Sequence, residues 1–517
     1  MLVILAIIGV IVLGVAVHDV TQQRHAILRN YPVIGHFRYV LESFGPELRQ
    51  YILTSNDEEK PFSRDERRWI YTSAYARDNT FGFGTDNAVD ASPDYLIIEQ
   101  AAFPHRPLAG EPPTPTWDFS VPCAKVLGVG HGRAAAFRPN AVVNISGMSF
   151  GSLSGAAVEA LNRGAAAVGC YQNTGEGGIS PHHLHGADLV FQIGTGYFGC
   201  RDASGAFSLD RLVETIAAAP VRALEIKLSQ GAKPGLGGLL PAAKVTPEIA
   251  AIRGIPVGED CRSPNRHAAF DDVDGLIEFV ERLADATGLP VGIKSAVGET
   301  RFWVELADRM AVTGGGPDFV NVDGGEGGTG AAPLVFADHV ALPFLRAFPR
   351  VYRCFAERDL HQQIVFVGGG RLGLADRAAA AMALGCDLVH VGREAMLAVG
   401  CIQAQRCHTG RCPTGVATQS KRLERGLHPD QKSVRAANYL ATLRHELLRL
   451  ARACGHDHPA LIRPDQLALL DPGLPTTSLQ HSVDYADGWG LPSAADLSAL
   501  RAEWPEPSGR RGRYCLL

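Results

Sequence analysis

The sequence predicts an α/β protein, a closed (β/α)8 TIM barrel with an apolar N-terminal helix and small flanking segments. Three observations lead there. Short β-branched runs recur eight times from residue 141 onward, each ending in a Gly-rich or polar loop. Ala/Leu-rich segments of helical character lie between several of them. The runs are continuously apolar, as strands are when a parallel sheet is covered on both faces. A count of eight favours a closed ring over an open doubly wound sheet, and no Gly loop sits in a dinucleotide-binding context.

In order, the runs are "AVVNIS" (141–146), "VGCYQN" (168–173), "LVFQIG" (189–194) and "ALEIKLS" (223–229). Then come "PVGIKSA" (290–296), "DFVNVDG" (318–324), "IVFVGGG" (364–370) and "LVHVGRE" (388–394). Helical segments between them include "SGAAVEALNRGAAAVG", "DGLIEFVERLADATG" and "LADRAAAAMALG". Upstream, "RRWIYTSAYARD" reads as helical, "DYLIIEQAAFP" as a strand running into a turn, and Pro-rich "GEPPTPTW" (110–117) as a surface loop. Downstream, "SVRAANYLATLRHELLRLARACG" (433–455) has the spacing of an amphipathic helix, with His445 a core or surface histidine rather than a ligand. The tail ending in "GRRGRYCLL" carries no legible chemistry, and Cys515 is one residue short of a prenylation box.

Composition narrows the function. The chain has 517 residues, 46% hydrophobic and 20% charged, which suits a folded body with a large core. A net charge of −5 lacks the footprint of a nucleic-acid binder. Eleven cysteines in no regular framework argue against a disulfide-stapled secreted domain.

The N-terminus, "MLVILAIIGVIVLGVAV", is uncharged and apolar as far as His18 and Asp19. It has the length of a minimal membrane span and lacks the basic start and small-residue cleavage site of a signal peptide. Arg24, Arg29 and Arg38 follow it and no Lys or Arg precedes it. The positive-inside rule then predicts a single-pass anchor in the cell membrane with a cytoplasmic body. The expected organisation is an anchor over 1–18, a region packing on the barrel over 19–139, the barrel over 140–420 with a cysteine loop at 400–413, and a helical extension over 421–517.

In such a barrel, chemistry belongs at the carboxyl ends of the strands. Seven of those ends are Gly-rich, as needed where backbone approaches a flat or phosphorylated ligand. Gly369, Gly370, Gly392 and Arg393 follow strands seven and eight, where barrels commonly hold phosphate, and so suggest a phosphorylated cofactor. Lys227, Gln230 and Lys233 advance by threes after strand four, and Arg253 follows. Fixed cations of this kind suit an anionic substrate, and Glu176 in "NTGEGG" adds an acid/base group. Cys401, Cys407 and Cys412 fall within twelve residues. A disulfide, a Cys₃His zinc site using His408, and a redox cluster are all open on spacing alone.

Five motifs, in this order, resemble the FMN-binding synthase domain of the glutamate synthases. They are "NISGMSFGSLS", "NTGEGG", "EIKLSQGAKPGLGGLLPAAKVTPEIAAIR", "DGGEGGTGAAP" and "GCIQAQRCHTGRCPTGVATQ", spread over about residues 140–420. The apolar N-terminus and compact length are similar to bacterial members of the FMN-binding glutamate synthase family. The resemblance implies a barrel holding FMN beside 2-oxoglutarate, with a 3Fe–4S cluster on Cys401, Cys407 and Cys412. It implies reductive amination of 2-oxoglutarate to L-glutamate through 2-iminoglutarate. Lys227, Gln230, Lys233 and Arg253 would bind substrate carboxylates and the FMN rim. Glu176 and Lys233 would be catalytic, with Glu176 lining the place where ammonia meets the keto acid. Ser146, Gly147, Met148, Ser149, Lys294, Gly327 and Gly328 would join the phosphate-loop residues in holding the cofactor.

The chain also departs from the family pattern. No glutaminase domain is expected within these residues, so nitrogen would come from ammonia, an amine or a separate glutaminase subunit. With no nicotinamide fingerprint, the expected electron donor is a ferredoxin or reductase subunit. The family's "HDGGTGASP" reads "GEGGTGAAP" here, with Gly325, Glu326 and Ala332 changed, and Tyr171 replaces the Lys of "KSNTGEGG". Both changes are expected at the active rim. They motivate two alternatives: a barrel acting on another amine or keto acid, as in N-methylglutamate formation, or a membrane-tethered electron-transfer subunit.

Overall fold

Each apolar run forms one stave of a barrel in the computed structural model of the chain. The staves are β1 (Val143–Ile145), β2 (Gln172–Asn173), β3 (Leu189–Ile193), β4 (Val221–Lys227), β5 (Val291–Ser295), β6 (Phe319–Asp323), β7 (Val365–Gly369) and β8 (Leu388–Val391). Neighbours pair in parallel and in chain order, and β8 pairs with β1 to close the ring. Closure leaves no unpaired sheet edge. The structure describes residues 2–22, 25–53, 59–85, 87, 89, 92, 95–108, 110–470 and 476–504. Arg24 of the predicted membrane flank and the tail with Cys515 lie outside the described residues.

Alternation along the strands sorts the interior into layers, because residues two apart face the same way. Val190, Ala223, Phe319, Val365 and Leu388 pack together with Cys123, Leu127 and Phe137 as an apolar cluster. Two positions further along, the buried residues turn polar: Gln192, Glu225, Asn321 and His390. Two more bring Lys227 and Asp323 to the carboxyl ends, with Lys294 opposite Lys227 in the β4–β5 ladder. The barrel is therefore apolar at one end and charged at the other.

The helices outside follow their sequence signals. Val273–Thr287 starts where the Asp272 side chain accepts the Gly275 N–H at 2.8 Å, and it stops at left-handed Gly288. Between those caps it buries Val273, Leu276, Ile277, Val280, Leu283 and Ala284, one apolar stripe. Phe344–Ala356 buries Phe344, Phe348, Tyr352 and Phe355, each stabilising by about 1.5–3 kcal/mol. The amphipathic helix expected over 433–455 runs over Pro429–Ala453. It starts earlier because proline fits the first turn, where its missing N–H costs nothing. His445 is buried in it.

That helix lies against Gly155–Ala167 at one very close point. A Cβ on Gly164 would sit 2.6 Å from the Ala436 Cβ and 2.9 Å from the Ser433 carbonyl oxygen. Elsewhere, the expected strand forms as Tyr95–Ile98, antiparallel to Leu467–Leu470, which in turn pairs with Thr476–Ser478.

The chain divides into two compact units, Met1–Arg67 and Arg68–Leu517, the second carrying the barrel. The division falls inside the stretch 19–139 that the sequence set apart. In the first unit, Leu2–Thr21 is one helix, long and apolar enough to cross a membrane. Near its end, Asp19 accepts the Val33 N–H at 2.8 Å and pairs with the His36 Nε2 at 2.9 Å.

Candidate active site

The loops at the carboxyl ends of the strands surround a solvent-open cavity. Ser146, Gly147, Met148 and Ser149 line it from the end of β1, and Glu176 from the end of β2. Lys227, Gln230, Lys233 and Arg253 come from β4 and its loop, and Lys294 from β5. Gly327, Gly328, Gly370, Gly392 and Arg393 come from the last three loops. Gly369 does not reach the cavity: it ends β7, in register with Asp323 on one side and His390 on the other. Cys407 reaches the wall, whereas Cys401 and Cys412 do not.

Close backbone approach explains the "NTGEGG" loop. Gly175 has φ +67°, and a Cβ there would lie 2.6 Å from the Ser149 amide nitrogen. Only glycine lets the loops after β1 and β2 pack this tightly. The next residue, Glu176, is thereby carried into the cavity wall.

At that end the charges are coupled. Glu176 pairs with the Lys227 Nζ at 3.1 Å, and Lys227 also donates to the Gln230 Oε1 at 2.7 Å. Burial pushes the Glu176 carboxyl up, but Lys227, Lys233 and Arg253 outweigh it and hold the group below its ordinary range. Burial lowers Lys233, with Glu176 opposing and Lys227 adding to the shift. Arg253 is buried; its Nη2 donates to the Phe150 carbonyl at 3.1 Å and its Nη1 to the Cys261 Sγ at 3.7 Å. Its Nε has no partner among the described residues, although an unmatched buried donor is costly.

Lys294 stands on the cavity floor 3.5 Å from the Asp323 Oδ2. Burial pushes its pKa down, but Asp323 and then Glu225 outweigh it and keep the ammonium charged. At the far side, the Arg393 guanidinium donates to the Glu326 carbonyl. Burial lowers the pKa of Arg393, with Glu394 and Glu326 opposing the shift.

The sequence reading missed Gln192, Cys261, Ser263, Asp323 and Arg371, all of which line the cavity. Gln192 had a signal, a lone polar residue in an otherwise apolar strand, and Asp323 ends a strand that also carries Asn321. Cys261 and Ser263 had none. They arrive through a two-stranded hairpin, Leu239–Leu240 with Cys261–Arg262, too short to give a pattern.

The rim departures do not face the cavity. Both Glu326 carboxylate oxygens accept the Phe344 N–H, at 3.0 and 2.8 Å, and the Gly325 N–H donates to the Leu342 carbonyl at 2.8 Å. Tyr171 is buried deeper, its hydroxyl 2.7 Å from the His390 Nε2. The expectation that these residues shape the active rim is therefore corrected. Glu326 turns its side chain into the protein, and Tyr171 belongs to the apolar cluster.

The three cysteines share one loop and interact electrostatically. The Cys401 Sγ accepts the Gln403 N–H at 3.4 Å, and the Cys412 Sγ lies 3.5 Å from the Thr414 Oγ1. Buried Lys244 donates to the Cys407 carbonyl at 2.9 Å. His408 is exposed, and among the described residues no three His, Cys, Asp or Glu side chains are grouped to hold a metal ion.

A closed parallel barrel with a cationic, Gly-walled cavity at its carboxyl end defines an α/β-barrel enzyme. Residues 131–457 match the family described as the conserved region in glutamate synthase. The glutamate synthase large subunit-like protein YerD of Bacillus subtilis is 38% identical over 486 residues, covering 88% of this chain and 92% of that protein. The archaeal-type glutamate synthase (NADPH) of Thermotoga neapolitana is 36% identical over 337 residues. That match covers 64% of this chain and 63% of the relative, so the chain spans under two thirds of the relative's length. The chain belongs to the glutamate synthase family and is an oxidoreductase. Among solved structures, a flavocytochrome b2 mutant with pyruvate bound aligns at 14% identity and a TM-score of 0.44, covering 92% of this chain and 99% of that one. That likeness is too loose to argue from.

Proposed function

We propose that the chain is an FMN- and iron–sulfur-dependent oxidoreductase that reductively aminates 2-oxoglutarate to L-glutamate through 2-iminoglutarate. The observation that carries this is the charge balance at one end of the cavity. Lys227, Lys233 and Arg253 stand against Glu176 alone, an excess of two positive charges that suits a dicarboxylate. The unmatched Arg253 Nε supports a further acceptor there.

The residues present fit FMN. Lys294 would steady the pyrimidine side of the ring. Ser146, Gly147, Met148 and Ser149 would flank it, and Gly370, Gly392 and Arg393 would take the phosphate. Cys401, Cys407 and Cys412 would supply the three thiolates of a 3Fe–4S cluster once drawn together, with the Gln403 N–H facing the Cys401 sulfur. When bound, the flavin supplies hydride to the substrate and the cluster relays electrons to the flavin.

The protein's own groups then have defined work. Arg253 and Lys227 bind and orient the dicarboxylate. Glu176, ionised, attracts the ammonium or iminium nitrogen. Lys233, with its pKa lowered by burial, exchanges a proton as water leaves the carbon. Electrons come from an external ferredoxin or reductase subunit. Nitrogen comes from ammonia or a separate glutaminase subunit, and Leu2–Thr21 anchors a cytoplasmic body to the membrane.

Anaerobic reoxidation of the reduced protein tests the reading. Reoxidation by 2-oxoglutarate plus ammonium, with glutamate formed, is expected. Reoxidation only by another amine and keto acid would indicate an N-methylglutamate-type reaction, and reoxidation only by a partner protein an electron-transfer subunit. The inward-turned Glu326 and Tyr171 favour the first outcome. Cys407→Ser is expected to lose iron while retaining FMN, read by iron analysis and electron paramagnetic resonance.

A further inference from the structure

We propose that Glu225 is a positioning residue: from the barrel interior it fixes which atom of the Gln192 amide meets the cofactor. The inference rests on the reading that the cavity takes FMN. Glu225 is fully buried in the middle of β4 and does not itself line the cavity. The Gln192 Nε2 donates to its Oε1 at 2.6 Å and the Asn173 Nδ2 donates to the same oxygen at 2.8 Å. The Asn321 Nδ2 donates to its Oε2 at 2.7 Å. Both carboxylate oxygens thus accept only, from amides on three different strands.

An amide held this way has lost its freedom to flip. Gln192 lines the cavity with one Nε2 hydrogen committed to Glu225, which turns its side-chain oxygen away from the carboxylate and leaves that oxygen for a ligand. The site can therefore accept a hydrogen bond at this point, as from an N–H of the cofactor. The same carboxylate organises its surroundings. The second Asn321 amide hydrogen faces the His390 Nδ1 at 3.2 Å, which puts the His390 proton on Nε2, toward the Tyr171 hydroxyl. The Asn173 Oδ1 accepts the Gly175 N–H at 3.0 Å, tying the hub to the loop that carries Glu176.

Two variants test the idea on apoprotein and reconstituted holoprotein. Glu225→Gln keeps the shape but adds an N–H where only acceptors fit, so one amide must turn. FMN affinity, followed by quenching of flavin fluorescence, is expected to fall about tenfold or more, the size of effect a broken buried network produces. The midpoint potential of bound flavin is expected to move positive, because a fixed negative charge near the electron-rich reduced ring is gone. Asn321→Leu keeps that charge and removes one donor that neutralises it; it should weaken FMN binding and move the potential negative, and it carries the test if Glu225→Gln does not fold. A merely structural Glu225 would lower the melting temperature and leave the potential of the folded holoprotein unmoved. A folded Glu225→Gln, or failing that Asn321→Leu, that binds FMN within about twofold of the parent at an unchanged potential overturns the proposal. Absence of FMN binding by the parent apoprotein would instead overturn the cofactor reading, and this inference with it.

Discussion

Lys233 and Glu176 share one end of the cavity and act on each other's protons in opposite senses. Burial lowers Lys233, the Glu176 charge raises it and the Lys227 charge lowers it further. The alkaline limb of the pH–rate profile should therefore fall below 10.5, the ordinary lysine value. Glu176→Gln removes the attraction and should move that limb to still lower pH. Lys227→Met removes a repulsion and should move it upward. Arg253→Met should raise KM for the keto acid about tenfold or more, since a charge-assisted bond contributes ~1.5–3 kcal/mol. Steady-state kinetics with 2-oxoglutarate would read it, with kcat changed less. These side chains were legible because "EIKLSQGAKPG" spaces its cations along one loop. Gln192 was as polar and isolated in its apolar strand, a signal that only closing the ring makes meaningful.

Strands and helices obey more local rules, and their limits are visible at single contacts. The eight apolar runs became eight staves because β-branched runs bounded by Gly loops need little tertiary help to be recognised. Which way their residues face is another matter. β2 has two residues, so a slip of one place would exchange Tyr171 and Asn173 for Gln172. Tyr171, two positions before Asn173, faces the same way one layer deeper, and so lies against His390 and not at the rim. Helix propensity misleads in a similar way at Gly164. An alanine would gain about 1 kcal/mol of propensity in an isolated helix. Packed beneath Ala436, Gly164→Ala should instead destabilise by about 1–3 kcal/mol, because the facing helix must shift. Urea unfolding of the holoprotein would give the sign.

In the molecule as a whole, one end of the barrel is apolar, the middle carries a buried polar hub, and the mouth is charged. The helix Leu2–Thr21 belongs to a separate compact unit from the barrel. Removing that helix should release the protein from membrane vesicles into the soluble fraction with flavin binding intact, checked by flotation and absorbance. The order of strands, the Gly-rich rim, the cations after β4 and the cysteine trio all follow from short stretches of sequence, since each depends on neighbours a few positions away. The hub does not. Gln192, Asn173 and Asn321 reach Glu225 from 33, 52 and 96 positions away, and no local pattern joins them. Closing the ring brings them together. Inside it, where water is excluded, a carboxylate persists only with its donors in place, so the fold decided which polar residues became partners.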